Sequence, residues 1–92
     1  MIFIKLIFVI GEQLYYVYLI ESITHSKYYI GQTKNLCERL EYHNSGRSQY
    51  TKPFRPWKLI GYKEYASRAE AMAEEKRLKK LKNRNWILSQ FK

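Results

Sequence analysis

The segment LYYVYLIESITHSKYYIG, residues 14–31, contains two apolar and aromatic runs that a polar stretch separates. The first run, residues 14–20, is rich in β-branched and aromatic side chains and predicts a strand. The second run predicts another strand, which stops at Gly31. Because the polar residues 21–27 between them form only a short connection, the two strands are expected to pair antiparallel.

The register of this hairpin bears on two tyrosines. A loop centred between Ile23 and Thr24 would place Tyr18 opposite Tyr29, with the two phenols side by side. Tyrosines in strands are usually half-buried packing residues, which is the plain alternative to a chemical role. A phenol has a pKa near ~10, so it acts as a base at neutral pH only beside a cation or metal-bound water.

The middle of the chain predicts one helix and one basic loop. The helix runs from residue 34 to 43, and either Thr33 or Asn35 can cap its start. The following residues 45–56 contain two prolines and a glycine, which predict a loop.

The last third of the chain predicts a third strand and two helices. Residues 57–65 predict the strand, with Gly61 as a possible bulge. Ser67 and Glu70 form a capping box that opens a helix from residue 68 to about 82. A short helix follows over about residues 84–91. The order β-β-α-β-α-α predicts an α+β fold in which a small three-stranded antiparallel sheet is flanked by helices.

The charge of the chain indicates a polyanionic partner. Its 92 residues suffice for one domain, and 17 Lys and Arg face only eight acidic residues, a formal charge of +9. Nucleic acid is the first candidate partner, and an anionic membrane surface is the second. All eight acids are glutamates and they are spread along the chain, which argues against a two-metal nuclease and favours a single metal.

The N-terminus and the cysteine content bear on cellular context. Residues 1–13 include an apolar run that is too short to span a bilayer, and we treat them as an extension before a domain over residues 14–92. Cys37 is the only cysteine, so no intrachain disulfide forms. These features predict a cytoplasmic protein without stable membrane association.

Three charged side chains invite a chemical explanation. Three of the four helical neighbours of Glu75 are apolar, so this carboxylate leans toward a buried face and needs a metal, Arg or Lys beside it. Arg39 and His43 project from one side of the first helix, where they could hold a phosphate and move a proton. The alternatives are a salt-bridged Glu75 and an ordinary exposed helix face.

Together these residues resemble a known family. Tyr16-Val17-Tyr18, then Tyr29-Ile30-Gly31, then Arg39, His43 and Glu75 follow the order of the GIY-YIG nuclease superfamily, and the resemblance covers about residues 15–88. It is closest to the small single-domain bacterial branch, through the stretches YYIGQTKNLCERLEYHNSG, RPWKLIGYKEY and SRAEAMAEEKRLKKLK. One departure is Tyr16, a bulky ring where other branches have glycine.

The resemblance implies a role for each matched residue. Tyr18 corresponds to the general base that activates water, and Tyr29 supports the same site. Arg39 corresponds to the arginine that holds the scissile phosphate, and His43 assists proton transfer or phosphate contact. Glu75 corresponds to the ligand of a single divalent ion, Mg²⁺ or Mn²⁺. A late asparagine of some members corresponds to Asn83 or Asn85.

The implied function is metal-dependent hydrolysis of DNA phosphodiester bonds, and the alternative is a nucleic-acid-binding module without catalysis. Residues 76–92 contain seven basic residues and no acid, so we expect contacts with backbone phosphate. The expected contact residues of this segment and of the basic loop are Arg47, Lys52, Arg55, Lys79, Lys82 and Arg84. We expect Trp86 to anchor the last helix to the core, with base stacking as the alternative.

Overall fold

The computed structural model describes residues 13–91 and confirms the predicted α+β fold. The predicted N-terminal extension lies outside the described residues, apart from Gln13. The elements are β1 (Tyr15–Ser22), β2 (Tyr28–Thr33), α1 (Leu36–Asn44), a 3-10 turn (Lys52–Phe54), β3 (Trp57–Tyr65), α2 (Arg68–Lys79) and α3 (Arg84–Ser89). None of the described helices is long and apolar enough to cross a membrane.

The three strands form one antiparallel sheet in the order β2-β1-β3. The predicted register of the β1–β2 hairpin is wrong, because Tyr18 lies opposite Gly31 and Ile20 lies opposite Tyr29. The Ser22 N–H donates to the Lys27 carbonyl at 2.8 Å, which closes the loop later along the chain than predicted. The observed register differs from the predicted one by two residues of β2, and side chains alternate between faces, so Tyr18 and Tyr29 still share a face of the sheet.

A bulge separates two parts of the β1–β3 ladder. Leu19 pairs with Gly61 and Ile20 pairs with Leu59, so Ile60 is the extra residue. The bulge therefore lies directly beside the predicted position, Gly61. A Cβ on Gly61 would lie 2.9 Å from the Cβ of Phe91, so glycine permits the C-terminal segment to pack closely here.

The central strand is buried on both faces of the sheet, which creates two hydrophobic clusters. Residues 17–20 of β1 are all buried. One cluster contains Val17 and Leu19 together with residues of α2 and α3. The other contains Tyr18, Ile20 and Trp57 and is covered by α1. Because α1 covers the face that carries Tyr18, this face is where the candidate site forms.

Helices α1 and α2 begin at the capping residues that the sequence predicts, but α2 ends earlier than predicted. The Asn35 side chain accepts from the Glu38 N–H at the start of α1, and the Ser67 hydroxyl accepts from the Glu70 N–H at the start of α2. The second of these is the serine half of the predicted capping box, and Glu70 Oε1 accepts from the Ser67 hydroxyl. The long helix α2 ends at Lys79, three residues earlier than predicted.

The expectation for Trp86 is wrong, since 64% of this side chain is exposed. Helix α3 instead packs against the core through Ile87 and Leu88, and Phe91 just beyond the helix joins them. Helix α3 is short, and it turns Ile87 and Leu88 toward the core and the Trp86 indole toward solvent.

Candidate active site

A chain of hydrogen bonds links three buried side chains beneath α1. The Tyr18 hydroxyl lies 2.9 Å from His43 Nε2, and His43 Nδ1 lies 2.9 Å from the Thr51 hydroxyl. All three residues are buried. The Thr51 carbonyl in turn accepts from the Trp57 indole N–H at 2.9 Å, so the loop after α1 is fixed to β3. These hydrogen bonds therefore connect residues of β1, α1, the loop after α1 and β3.

Burial controls the ionisation of His43. It lowers the pKa of the imidazole from 6.5 to about 4, and the nearby positive charge of Arg39 adds to the effect. The ring is therefore neutral at neutral pH, and one nitrogen donates while the other accepts. The buried ring differs from the ordinary exposed helix face that the sequence offered as the alternative.

Burial also raises the pKa of the Tyr18 phenol above its ordinary value near 10, and the neighbouring Tyr29 contributes in the same direction. Arg39 opposes the shift and Glu75 reinforces it, which places both side chains within electrostatic reach of the phenol. The phenol is therefore protonated at neutral pH. To act as a base it must release its own proton to another group, and His43 Nε2 is in hydrogen-bond contact with it.

Tyr29 and Gly31 pack around this chain from β2. The ring centroid of Tyr29 lies 5.0 Å from that of His43 and 6.4 Å from that of Tyr18. A Cβ on Gly31 would lie 2.7 Å from the Tyr18 Cζ atom, too close for any side chain. The glycine thus makes the space that the Tyr18 phenol occupies.

The Arg39 guanidinium lies against an aromatic ring. Its Cζ atom lies 4.9 Å from the centroid of the Tyr42 ring. Within residues 13–91 no carboxylate forms an ion pair with it. A guanidinium in this state can receive a phosphate at two oxygens.

Glu75 is half-buried and already pairs with a cation. The Lys79 ammonium lies 2.7 Å from Glu75 Oε2, and 21% of the glutamate side chain is exposed. The salt-bridged Glu75 that the sequence offered as the alternative is therefore present, and its role as a metal ligand stays a prediction. No cluster of three or more His, Cys, Asp or Glu that could hold a metal occurs within the described part of the chain. A single carboxylate fits Mg²⁺, which binds through one or two carboxylates, phosphate oxygens and its own waters.

The neighbouring Glu74 has a structural role. Its carboxylate accepts two hydrogen bonds from Arg77 and one from Lys63. The hydrogen bonds from Arg77, and to a smaller extent the one from Lys63, lower the pKa of Glu74 to about 2. Glu74 therefore ties α2 to β3.

The six residues expected to contact nucleic acid fall into two groups. Arg47, Lys52 and Arg55 lie in the loop that contains Thr51. Lys79 lies at the end of α2 over the Tyr29 ring, and Lys82 follows it along the chain. Arg84 begins α3 and lies over the Tyr28 ring, where it also donates to the Ser26 carbonyl.

Three residues that the sequence did not single out contribute to the site. Thr51 holds the imidazole, Tyr42 holds Arg39, and Arg68 at the start of α2 lines the same cleft as Arg39. Helical spacing places Tyr42 three residues after Arg39, which is a usable signal. Thr51 and Arg68 give no such signal, because their positions depend on contacts between distant segments.

Residues 14–87 match the family described as the GIY-YIG catalytic domain. The chain belongs to the GIY-YIG family. Membership implies a nuclease-type function, and the buried Tyr18 and His43 and the half-buried Arg39 lie inside the matched region. The first motif of this GIY-YIG member carries Tyr16 in the place of glycine, and the Tyr16 ring packs against Tyr62 with centroids 5.7 Å apart.

Bacterial proteins named UPF0213 protein are similar to this GIY-YIG chain. One from Streptococcus pneumoniae is 44% identical over 68 residues, which cover 73% of this chain and 68% of the relative. One from Listeria monocytogenes is 36% identical over 76 residues, which cover 82% of each protein. The solution NMR structure of a UPF0213 protein from Bacillus halodurans is 31% identical, with a TM-score of 0.49 and coverage of 79% and 78%.

Proposed function

We propose that this protein is a metal-dependent endonuclease that hydrolyses DNA phosphodiester bonds at a single-metal site. The observation that carries the proposal is the buried Tyr18–His43–Thr51 hydrogen-bond chain within electrostatic reach of Arg39 and Glu75. A buried phenol bonded to a neutral imidazole has little value for packing alone. The same pair is suited to moving a proton beside a phosphate.

The proton path follows from the ionisation of these groups. The attacking water gives a proton to the Tyr18 oxygen, which passes its own proton to His43 Nε2. This direction requires the tautomer with the proton on Nδ1, where it is donated to the Thr51 hydroxyl. The hydroxide then forms the new bond to phosphorus, and the bond to the leaving oxygen breaks.

Arg39 and Glu75 handle the negative charge of the reaction. The Arg39 fork holds the scissile phosphate and stabilises the charge that develops on its oxygens. Glu75 would hold a divalent cation, Mg²⁺ or Mn²⁺. When bound, such a cation supplies neutralisation of the phosphate and the leaving oxygen. The pairing of Glu75 with Lys79 must open for this role.

That ion pair also supports the second candidate, a nucleic-acid-binding module without catalysis. A lysine that stays on Glu75 would leave the carboxylate unable to bind a cation. Lys79 would then contribute only to the positive surface around the site.

Nicking of supercoiled plasmid with Mg²⁺ or Mn²⁺, with EDTA as the blank, separates the two candidates. We expect Glu75→Gln and Arg39→Ala each to lower the rate by about 10²–10³-fold, as loss of one charge-stabilising group typically does. Glu64→Gln is the matched control, because Glu64 is exposed on β3 and should nick like the wild type. Circular dichroism and thermal unfolding of each variant verify that the fold is intact. Metal-independent nicking, or no nicking by a wild type that binds DNA, would contradict catalysis and leave the binding module.

A further inference from the structure

A polar cleft of about 590 Å³ lies beside the proposed reaction site, between the end of β2, α1 and the start of α2. Its lining includes Gln32, Glu38, Arg39, Tyr42, Arg47 and Arg68. Of the proposed catalytic residues, only Arg39 lines it. The cleft therefore extends from the phosphate-holding arginine and away from the Tyr18–His43 pair, and its volume is in the range of small-ligand pockets.

The three arginines of the cleft are supported by aromatic rings. Arg39 and Arg47 both lie over the Tyr42 ring, with guanidinium carbons 4.9 and 5.4 Å from its centroid. Arg68 lies 5.2 Å from the centroid of Tyr15. An aromatic ring fixes a guanidinium through its face and leaves the N–H donors at its edge available.

None of these three arginines pairs with a carboxylate of residues 13–91, although Glu38 and Glu41 line the same cleft. Arginines that serve stability elsewhere in this protein behave differently, since Arg77 forms two hydrogen bonds to Glu74. The Arg47 Nε–H donates to the Ser45 hydroxyl at 2.9 Å, which leaves its terminal nitrogens for a ligand. Three guanidiniums without an ion pair among the described residues thus line one cleft, an arrangement suited to an anion with several oxygens.

Gln32 supplies an independent observation. Its Oε1 atom is buried and has no hydrogen-bond partner among the described residues, the only side-chain atom there with this property. A buried acceptor without a donor is costly. A ligand that offers an amine or hydroxyl hydrogen beside its anionic group would satisfy this atom, and a nucleotide offers both.

We propose that this cleft binds the nucleotide next to the scissile phosphate, with its phosphate on Arg47 and Arg68 and a base amine or sugar hydroxyl on Gln32. The assignment of the neighbouring scissile phosphate rests on the proposed function, whereas the cleft itself requires only a phosphorylated nucleotide. A free nucleotide and a nucleic-acid strand share this chemistry.

The test is a titration in EDTA, where no cleavage occurs, with two probes. They are 2′-deoxycytidine 3′,5′-bisphosphate, whose base carries an amine that can reach Gln32, and a twelve-nucleotide single-stranded DNA of mixed sequence. NMR of the arginine Nε–H groups reports contact, and fluorescence anisotropy or calorimetry gives the Kd. We expect the signals of Arg47 and Arg68 to shift, and Arg68→Ala to weaken binding about tenfold through loss of a charge-assisted hydrogen bond.

Two variants separate a built site from general attraction. Lys58→Ala removes the same charge from an exposed position on β3 and should change the Kd less than twofold. Arg68→Lys keeps the charge without the planar fork and should fall between wild type and Arg68→Ala. Equal losses in Arg68→Ala and Lys58→Ala, or no shift of the Arg68 signal with either probe, would overturn the proposal.

The two probes identify the source of the nucleotide. Tighter, Arg68-dependent binding of the oligonucleotide supports a strand, and equally tight binding of the bisphosphate supports a free nucleotide. Because these measurements need neither metal nor cleavage, a protein that fails to nick plasmid can still show the site. Conversely, binding that does not depend on Arg68 would overturn the proposed cleft without contradicting a positive nicking result.

Discussion

At the scale of single residues, the site depends on side chains whose ionisation is set by burial. The His43 ring is 2% exposed and is bonded by both nitrogens, to Tyr18 and to Thr51. Tyr29, Tyr42 and Arg39 complete its surroundings. Within residues 13–91 no carboxylate forms an ion pair with the ring, and burial together with Arg39 disfavours the imidazolium. The fold therefore keeps the imidazole neutral at neutral pH.

We expect the free energy of unfolding to decrease as the pH falls from about 6.5 to 4. The pKa of His43 is about 4 in the folded protein and 6.5 in the unfolded chain, so the unfolded chain binds the additional proton in this interval. The contribution of neutral His43 to the free energy of unfolding is fully present above pH 6.5, and up to about 3 kcal/mol of it is lost as the pH falls toward 4. Urea unfolding at a series of pH values measures it.

His43→Gln is the control for this pH dependence, because an amide occupies similar space and does not titrate. Glu74 adds its own loss of stability only below pH 4.5, the value from which its pKa is lowered. A His43→Gln variant with the same pH dependence as wild type between 6.5 and 4.5 would contradict the assignment.

At the scale of elements, α1 is fixed to β3 by one amide side chain. Asn44, the last residue of α1, donates from Nδ2 to the Trp57 carbonyl at 3.0 Å and accepts the Trp57 N–H at 2.7 Å. The side chain thus pairs with a strand residue as a neighbouring strand would. Since α1 carries Arg39 and His43, this contact fixes the helix over the face of the sheet that carries Tyr18.

Replacement of Asn44 by alanine should destabilise the protein by about 2–4 kcal/mol, because two partly buried backbone groups lose their partners at ~1–3 kcal/mol each. Denaturant unfolding measures the change. Asn85→Ala is the matched substitution, since Asn85 is exposed on α3, and it should shift stability by less than about 0.5 kcal/mol. Equal effects of the two substitutions would show that the Asn44 contact contributes nothing.

At the scale of the whole molecule, the positive charge stays largely uncompensated. The three ion pairs of the described residues involve only Glu74 and Glu75. Five lysines and arginines outside these ion pairs lie over aromatic rings: Lys27, Arg39, Arg47, Arg68 and Arg84. Aromatic contacts position these cations without neutralising them, so the formal charge of +9 remains available to a polyanion.

Binding to DNA in EDTA should therefore weaken steeply between 50 and 200 mM salt, whatever the DNA sequence. Each neutralised phosphate contributes ~0.7–0.9 to the slope of log Kd against log salt. The double substitution Lys52→Ala and Arg55→Ala should lower that slope by about 1 to 2 if both loop residues contact phosphate. Fluorescence anisotropy with two unrelated DNA sequences measures it, and a slope near zero would exclude a phosphate-dominated interface.

The sequence by itself determined the order of the elements, the capped starts of α1 and α2, the excess of positive charge and the likeness to the GIY-YIG family. These depend on local patterns, such as alternation along a strand or a serine three residues before a glutamate. The tertiary structure decided the hairpin register, the exposure of Trp86 and the bond between His43 and Thr51. Each depends on which distant segments meet. The hydrogen bond between Ser22 and Lys27 sets the hairpin register, and the packing of Ile87, Leu88 and Phe91 against the core leaves the Trp86 indole in solvent.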